Sequence, residues 1–598
     1  MKKALGIILS AMFLLSALAG CAGNSSDEEY IGPTIPVYIA EEIANYDPAY
    51  GNLDAETQKI LGLVYEGLFK YDANGKVVKA QAKSVKILDK PSDNYYGIEI
   101  KLQDTAWSDG TPVQAQDYIY AWQRILEPGF RGEAASLLFG IKNARACNQG
   151  ECSIEDLGVT DSGVKILRIT FEGPTDYDKF YEYLASPMLV PLREIAVNKV
   201  EKDWSSSSSV VVCNGPFCIR SYSNEEKRLT IDRNIYYMRN VEKDSVMKYV
   251  TPYRLTNDLS KGAEGAEELF SSGMLAFDSS LPLSKRAEYA SKATVNDTMS
   301  VMTYVFNTAV EPFDKPEVRL ALSKALDRNR IAEILTFAKP AGGIIADGVF
   351  NTNYKGKTSF RSAGGSLIPA EANVAEAKSL LSKAGVSGGS IEITVRKTEA
   401  DVAVAEYVKS VWDSLGFKVT IKKLDFYKYK DEREYDLVSD RFNEAYESRD
   451  FQVISVDYMM FTTDAFGNLA TFSKNFASGV IDLTVAADSY DLTTHVSGYD
   501  NEQYTAKLEE AFAESDLSKR AELLHAAEEI LMNDMPVIPL VQLRNASVSD
   551  SNLKNVKFTR FGCADFIKAD LKNKDKYTVG TGDLKNKDKY TVETITVE

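Results

Sequence analysis

Histidine is scarce in this chain. Its 598 residues include two, His495 and His525, and neither neighbours a cysteine. That removes the HExxH metal pattern, and a Walker phosphate loop is also missing. We read no serine nucleophile elbow either, so no metal and no cofactor are expected, and the chain is not expected to be an enzyme. Carboxylate pairs are too abundant in so acidic a protein for any one of them to signal glycoside hydrolysis. Clustered base is lacking as well: 69 Lys and Arg stand against 86 Asp and Glu, a net charge of −17. Phosphate backbones are held by clustered cations, so no nucleic acid partner is expected. Beyond the first twenty residues no apolar run approaches the length of a membrane span.

What the first residues do contain is a short basic start, Lys2 and Lys3, then a mostly apolar stretch from Ala4 to Leu18 and small residues after it. That order predicts a secretory signal over residues 1–20. "LAGC", Leu18 to Cys21, resembles the lipobox of bacterial lipoproteins, in which the cysteine is lipidated and becomes the mature N-terminus. Cys21 is thus the expected lipidation site, with residues 21–35 as a leash and a location on the outer face of the cytoplasmic membrane or in the periplasm. An ordinary signal peptide with an incidental cysteine is the alternative. Five further cysteines remain: Cys147 and Cys152 enclose "NQGE", Cys213 and Cys218 enclose "NGPF", and Cys563 stands alone. Each close pair could form a disulfide in an oxidising exterior or stay reduced; connectivity is not readable from sequence.

Periodicity predicts α/β structure throughout. "TPVQAQDYIYAWQRIL" places Thr111 and Pro112 at a cap and first turn, with Tyr118, Ala121, Trp122 and Ile125 on one helical face. The same spacing follows Pro316. Between 373 and 421, Asn373 caps a helix ending at Gly385, "IEITV" alternates as a strand, Val402 to Leu415 is helical and "FKVTI" alternates again. A helix between two strands implies a parallel pair. "AELLHAAEEILMNDM" reads as a helix, in which His525 is a partly buried structural residue, and "PVIPLV" as a strand. "SSSSS" at 205–209 reads as a surface loop, and "DLKNKDKYTV", present twice near the C-terminus, as a mobile charged tail over 570–598.

Three blocks carry a resemblance: "TAWSDGTPVQAQDYIYAWQRIL" (105–126), "NGPFCIRSYSNEEKRLTIDRNIYYM" (214–238) and "TYVFNTAVEPFDKPEVRLALSKALDRNRI" (303–331). In order and spacing they are similar to the peptide-binding lipoproteins of ABC importers, with looser support from "VYEGLF", "YLASPMLVP" and "EEILMNDMPVIPLV". The resemblance implies an α/β, three-domain, periplasmic-binding-protein-like fold of class II, the Venus-flytrap type, with the ligand cleft between two lobes. It places a discontinuous domain I at 36–75, 195–303 and 536–569, an inserted domain II at 76–194 and domain III at 304–535. The implied protein is a monomeric receptor that captures oligopeptides and delivers them to an ABC permease and its ATPase.

Ligand contacts transfer less directly. In the resembled family a cleft strand continues as "W..DYPDP", its aspartate binding the peptide's amino group. Here the region is "FQVISVDYMMFTTDAFGN" (451–468): Tyr458 falls on the aromatic and Phe461 on the aspartate. Asp457 or Asp464 could substitute as anchor, or no amino anchor exists. Candidate cleft residues are therefore Asp457, Tyr458, Met459, Met460, Phe461 and Asp464, with Phe139 at the place of a family tyrosine. Methionine and tyrosine suit adaptable apolar pockets, though either methionine could instead pack in the core. The same fold also leaves open a non-peptide solute (an oligosaccharide, an opine, a metal complex) or a peptide sensor or chaperone-like lipoprotein without transport. Trp107, Asp109 and Gly110, in the most specific block, are explained as a turn before a helix.

Overall fold

A computed structural model describes residues 32–40, 46–50, 55–130, 133–198, 204–206, 211–223, 228–238, 245–424, 428–431, 434–438, 441–476 and 495–572. The leader, Cys21, the end of the serine run and residues 573–598 of the expected tail lie outside the described residues, but the tail's expected start at 570 is corrected: Asp570–Leu571 pairs antiparallel with Leu553–Lys554, and Leu571 is buried.

Two strands of 13 residues, Thr294–Phe306 and Val537–Ser549, pair antiparallel at the middle of an 11-stranded sheet. Both become continuously buried over one half, as strands covered on two faces do. On one side of them the sheet runs through Val453–Met459 and Gly389–Arg396 to Phe417–Leu424; on the other through Phe277–Asp278, Thr34–Tyr38, Arg254–Asp258 and Arg228–Arg233 to Phe217–Ser223, and the eleventh strand, Ala338–Pro340, pairs with Val537–Ser549 off this path. Segments far apart in sequence thus share one sheet.

The expected parallel unit is present. Gly389–Arg396 and Phe417–Leu424 pair in parallel, joined by the helix Glu399–Ser414, whose Trp412 is buried and donates to Leu322 O at 3.1 Å. Asn373 caps the helix Val374–Lys383 by accepting from Glu376 N. Val318, Ala321 and Leu322 form the buried face of Pro316–Lys324. His525 lies in the helix Leu517–Asp534, its ring stacked on Phe360 at 3.8 Å and its Nε2 2.8 Å from Asn351 Oδ1. Among the described residues no helix is long and apolar enough to cross a membrane.

One boundary is corrected. The helix expected from Thr111 begins at Ala115, with Gln114 as N-cap and Asp117 closing a capping box. Thr111 and Pro112 are spent on the preceding turn: Trp107 N donates to Thr111 O, and Ala106 bridges Pro112. Asp117 also accepts from Trp107 Nε1 at 3.0 Å, so this block is a turn-helix lock, and Tyr118, Ala121, Trp122 and Ile125 are buried beneath it. The "NGPF" turn is likewise structural: a Cβ at Gly215 would stand 2.5 Å from the Val64 backbone.

A separate four-stranded antiparallel sheet, Ala82–Ile87, Gly97–Leu102, Ile166–Thr170 and Val159–Gly163, lies within the stretch 82–170. After it comes the short helix Tyr177–Tyr183, capped by Asp176.

Candidate functional site

The strand Val453–Met459 pairs antiparallel with Thr294–Phe306, setting Met459 opposite Ser300 and Asp457 opposite Met302. Because side chains alternate across a strand, Asp457 and Met459 share one face and Tyr458 takes the other. Tyr458 is buried with its hydroxyl 2.9 Å from Asn468 O and in contact with Thr471 Oγ1. Burial pushes its phenol well above the ordinary range. Met460 N donates to Met299 O, and both Met459 and Met460 are buried.

Phe461, at the register of the expected amino anchor, is 1% exposed. Its backbone N donates to Asn468 Oδ1 at 3.1 Å. Close packing surrounds the next turn: a Cβ on Gly467 would come within 2.6 Å of Leu137 Cδ2 and 2.9 Å of Thr462 Cγ2. Phe139 lies nearby, 6.2 Å from Phe476 and stacked on it. Phe476 also meets Phe466 and Phe512, and Arg145 sits over its ring at 4.7 Å. Arg145 pairs with Glu509 as well, so residues 137–145 meet the segments 461–476 and 502–513 through an aromatic cluster edged by an ion pair.

Asp464 caps the helix Ala465–Ala470, accepting from Phe466 N at 2.9 Å. Arg520 grips its carboxylate at 2.7 and 3.0 Å, and Lys179 donates to it from the helix Tyr177–Tyr183. Burial alone would raise this carboxyl, but the Arg520 and Lys179 charges hold it well below the usual range. Around the pair, Thr463 Oγ1 donates to Glu182, Tyr71 OH donates to Glu182 O at 2.7 Å, and Arg520 Nη2 donates to Tyr183 OH at 3.1 Å. Burial pushes the Glu182 carboxyl up, opposed by Lys179.

Asp457 is committed elsewhere. Arg396 donates to its Oδ2 and also pairs with Asp401, which accepts from Thr398 and Ser455. Burial raises the Asp457 carboxyl, Arg396 opposes, and Asp401 and Glu56 add to the rise.

The candidate residues are therefore brought together along one strand and the following turn, with Phe139 close to the turn's aromatic cluster. The two aspartates differ: Asp464 is gripped by two of the protein's own cations, whereas Asp457 is paired with Arg396 through Oδ2 alone and its buried Oδ1 has no hydrogen-bond partner. Sequence reasoning missed Lys179, Glu182, Tyr183, Arg396 and Arg520. Only Asp464 carried a local signal, an aspartate before a helix-forming run, and that signal is a cap.

Cys147 and Cys152 face each other with Sγ atoms 2.8 Å apart, both as thiols. Cys213, Cys218 and Cys563 are thiols too. A GxSxG string does occur, at Gly385 to Gly389, against the reading of no elbow. It joins the helix Val374–Lys383 to the strand Gly389–Arg396, the reverse of the strand-to-helix turn that presents a nucleophile. Among the described residues no group of three or more His, Cys, Asp or Glu is arranged to hold a metal.

Comparison with known proteins gives a consistent picture. Residues 76–479 match the family described as bacterial extracellular solute-binding proteins, family 5 Middle. The chain is 27% identical over 584 residues to the oligopeptide-binding protein OppA of Bacillus subtilis, covering 93% of this chain and 97% of that one. It is 26% identical over 591 residues to the dipeptide-binding protein DppE of the same organism, covering 95% and 99%. A solved structure of the pheromone receptor PrgZ superimposes with a TM-score of 0.74 at 24% identity, covering 91% of this chain and 100% of that one. The α/β fold is that of the class II solute-binding proteins.

Proposed function

This chain belongs to the bacterial extracellular solute-binding proteins of family 5, and from that premise we propose that it is a lipid-anchored receptor that captures oligopeptides and hands them to an ABC permease. The family consists of extracytoplasmic substrate-binding receptors of ABC transporters, not enzymes. In this reading Cys21 carries the lipid, the receptor works as a monomer, and ATP is hydrolysed by separate subunits. Domain I comprises 36–75, 195–303 and 536–569, domain II 76–194 and domain III 304–535. Ligand binds in the cleft where domain III closes against domain I, and closure shifts with the ligand's differential affinity for the two states.

The observation that carries the reading is the match to peptide receptors along nearly the whole chain, together with direct contacts between residues 71–183 and 461–520 at the expected cleft strand. Main-chain hydrogen bonds to an extended ligand would give affinity without demanding a sequence. A second reading is favoured by Phe461: with an aromatic ring in the anchor's register, Asp464 held by Arg520 and Lys179, and Asp457 neutralised by Arg396 through Oδ2, the ligand carries no free ammonium at this place. Blocked peptides or non-peptide solutes then become the cargo.

Native mass spectrometry of protein purified without denaturation, with bound species released and sequenced, tests both. Co-purified peptides with free N-termini support the first reading and exclude the second. N-blocked peptides support the second. A non-peptide solute overturns peptide capture while leaving the receptor reading intact.

A further inference from the structure

The one-turn helix Ala144–Asn148 carries Arg145, which leaves the segment to pair with Glu509 and to cover the Phe476 ring. A five-residue helix has no intrinsic stability, so its position must be imposed from outside. Asn143 supplies part of that, with its N donating to Glu172 Oε1 at 2.6 Å and its Nδ2 to Asp156 O at 2.8 Å. The other end is closed by sulfur. Cys147 is fully buried, Cys152 is partly exposed, and their Sγ atoms lie 2.8 Å apart across the turn Gln149 to Glu151. The backbone of this turn is already folded for closure: Gln149 N donates to Arg145 O, Gly150 N to Cys147 O and Glu151 N to Ala146 O.

We propose that Cys147 and Cys152 form an intrachain disulfide in the exported protein, a modification site that fixes the turn from which Arg145 reaches Glu509. The other close pair is placed differently. Cys213 is tied into the turn at Ser108, and Cys218 lies within a strand opposite Asp232.

The bond forms by exchange with the disulfide of an extracytoplasmic thiol oxidase. Cys152, the accessible partner, attacks as thiolate, makes a mixed disulfide and expels one oxidase thiolate. Cys147, whose burial holds its thiol up at about 12, loses its proton as it attacks the Cys152 sulfur. The second oxidase thiolate leaves, so two protons and two electrons pass from the pair, and the oxidase departs as a dithiol.

The test uses the full exported chain, with thiols blocked by N-ethylmaleimide at lysis and peptides mapped without reduction. The expected result is a peptide holding Cys147 and Cys152 without adducts, lighter by the two thiol hydrogens, that accepts two adducts after reduction. Two adducts before reduction overturn the proposal, as does linkage of either residue to another cysteine. Hydrogen exchange gives an independent measure: amides 147–151 should exchange at least several-fold faster after reduction, and equal rates would remove the positioning role.

Discussion

Lys179 and Asp464, 285 positions apart in sequence, form an ion pair from which water is nearly excluded, with side chains 11% and 3% exposed. Arg520 completes the site from a third segment. A carboxylate held by two cations is a structural latch, and it and three other contacts of the fold each have a consequence that can be measured.

Replacing Asp464 by alanine strands two buried cations. The expected loss is about 3–5 kcal/mol, read from urea denaturation midpoints. Lys179→Met keeps the aliphatic stem and the Arg520 pair, so it should cost less, about 1.5–3 kcal/mol. Small-angle scattering should show a larger radius of gyration in both variants. Unchanged midpoints and radii would mean that the latch contributes nothing.

Gly467 tests packing at the aromatic cluster without touching a charge. Its Cβ would meet Leu137 and Thr462 below contact distance. Gly467→Ala should therefore destabilise by about 1–3 kcal/mol, despite alanine's higher helix propensity. A more stable variant would show that the segments at 137 and 467 can separate at no cost.

Asp278 sets a pH dependence. It is fully buried, Ser280 N donates to its Oδ1 at 2.9 Å, and its Oδ2 has no hydrogen-bond partner. Burial pushes the carboxyl up to about 7, against the Ser280 bond and the Lys59 charge. Its folded pKa lies above the unfolded value of about 3.9, so the folded state binds the proton more tightly. Stability from this group is present below the unfolded value and is lost as pH rises toward and through 7. Asp278→Asn should leave stability unchanged near pH 4 and raise it progressively toward pH 8, by up to about 4 kcal/mol. The difference between the two denaturation curves isolates this residue, and a flat difference would rule out the shift.

Arg145 and Glu509 are partly exposed, at 29% and 35%, so their coupling is screened. A double-mutant cycle with Arg145→Ala and Glu509→Ala should give about 0.2–1 kcal/mol at low salt and less at high salt. Coupling that is insensitive to salt would place the pair in a drier setting than the structure gives it.

Local chemistry was legible where neighbours in sequence are neighbours in space. Asn373 as a cap, the apolar face after Pro316 and the parallel pair around Trp412 all follow from short-range spacing. The helix start at Ala115 was missed for a related reason. Thr111 and Pro112 suit a first turn, but Trp107 and Ala106 claim their backbone first. The GxSxG string shows the limit of motif reading, since its meaning depends on which elements it joins.

At the candidate site the sequence located the strand and turn, 453–468, and left Asp457 and Asp464 as rival anchors. Their partners were not readable. Lys179, Arg396 and Arg520 sit in unremarkable helix and strand patterns, and nothing in their spacing points to a carboxylate tens or hundreds of positions away.

By itself, then, the sequence determined the receptor family, the absence of familiar metal and phosphate motifs, and most element types, because periodicity and turn chemistry act over a few residues. Tertiary structure alone decided that Asp464 serves its own chain, that Phe461 is sealed beside Asn468, and that Cys147 meets Cys152. Burial and pairing belong to the assembled sheet and its lobes, where desolvation fixes which charge each carboxylate must find.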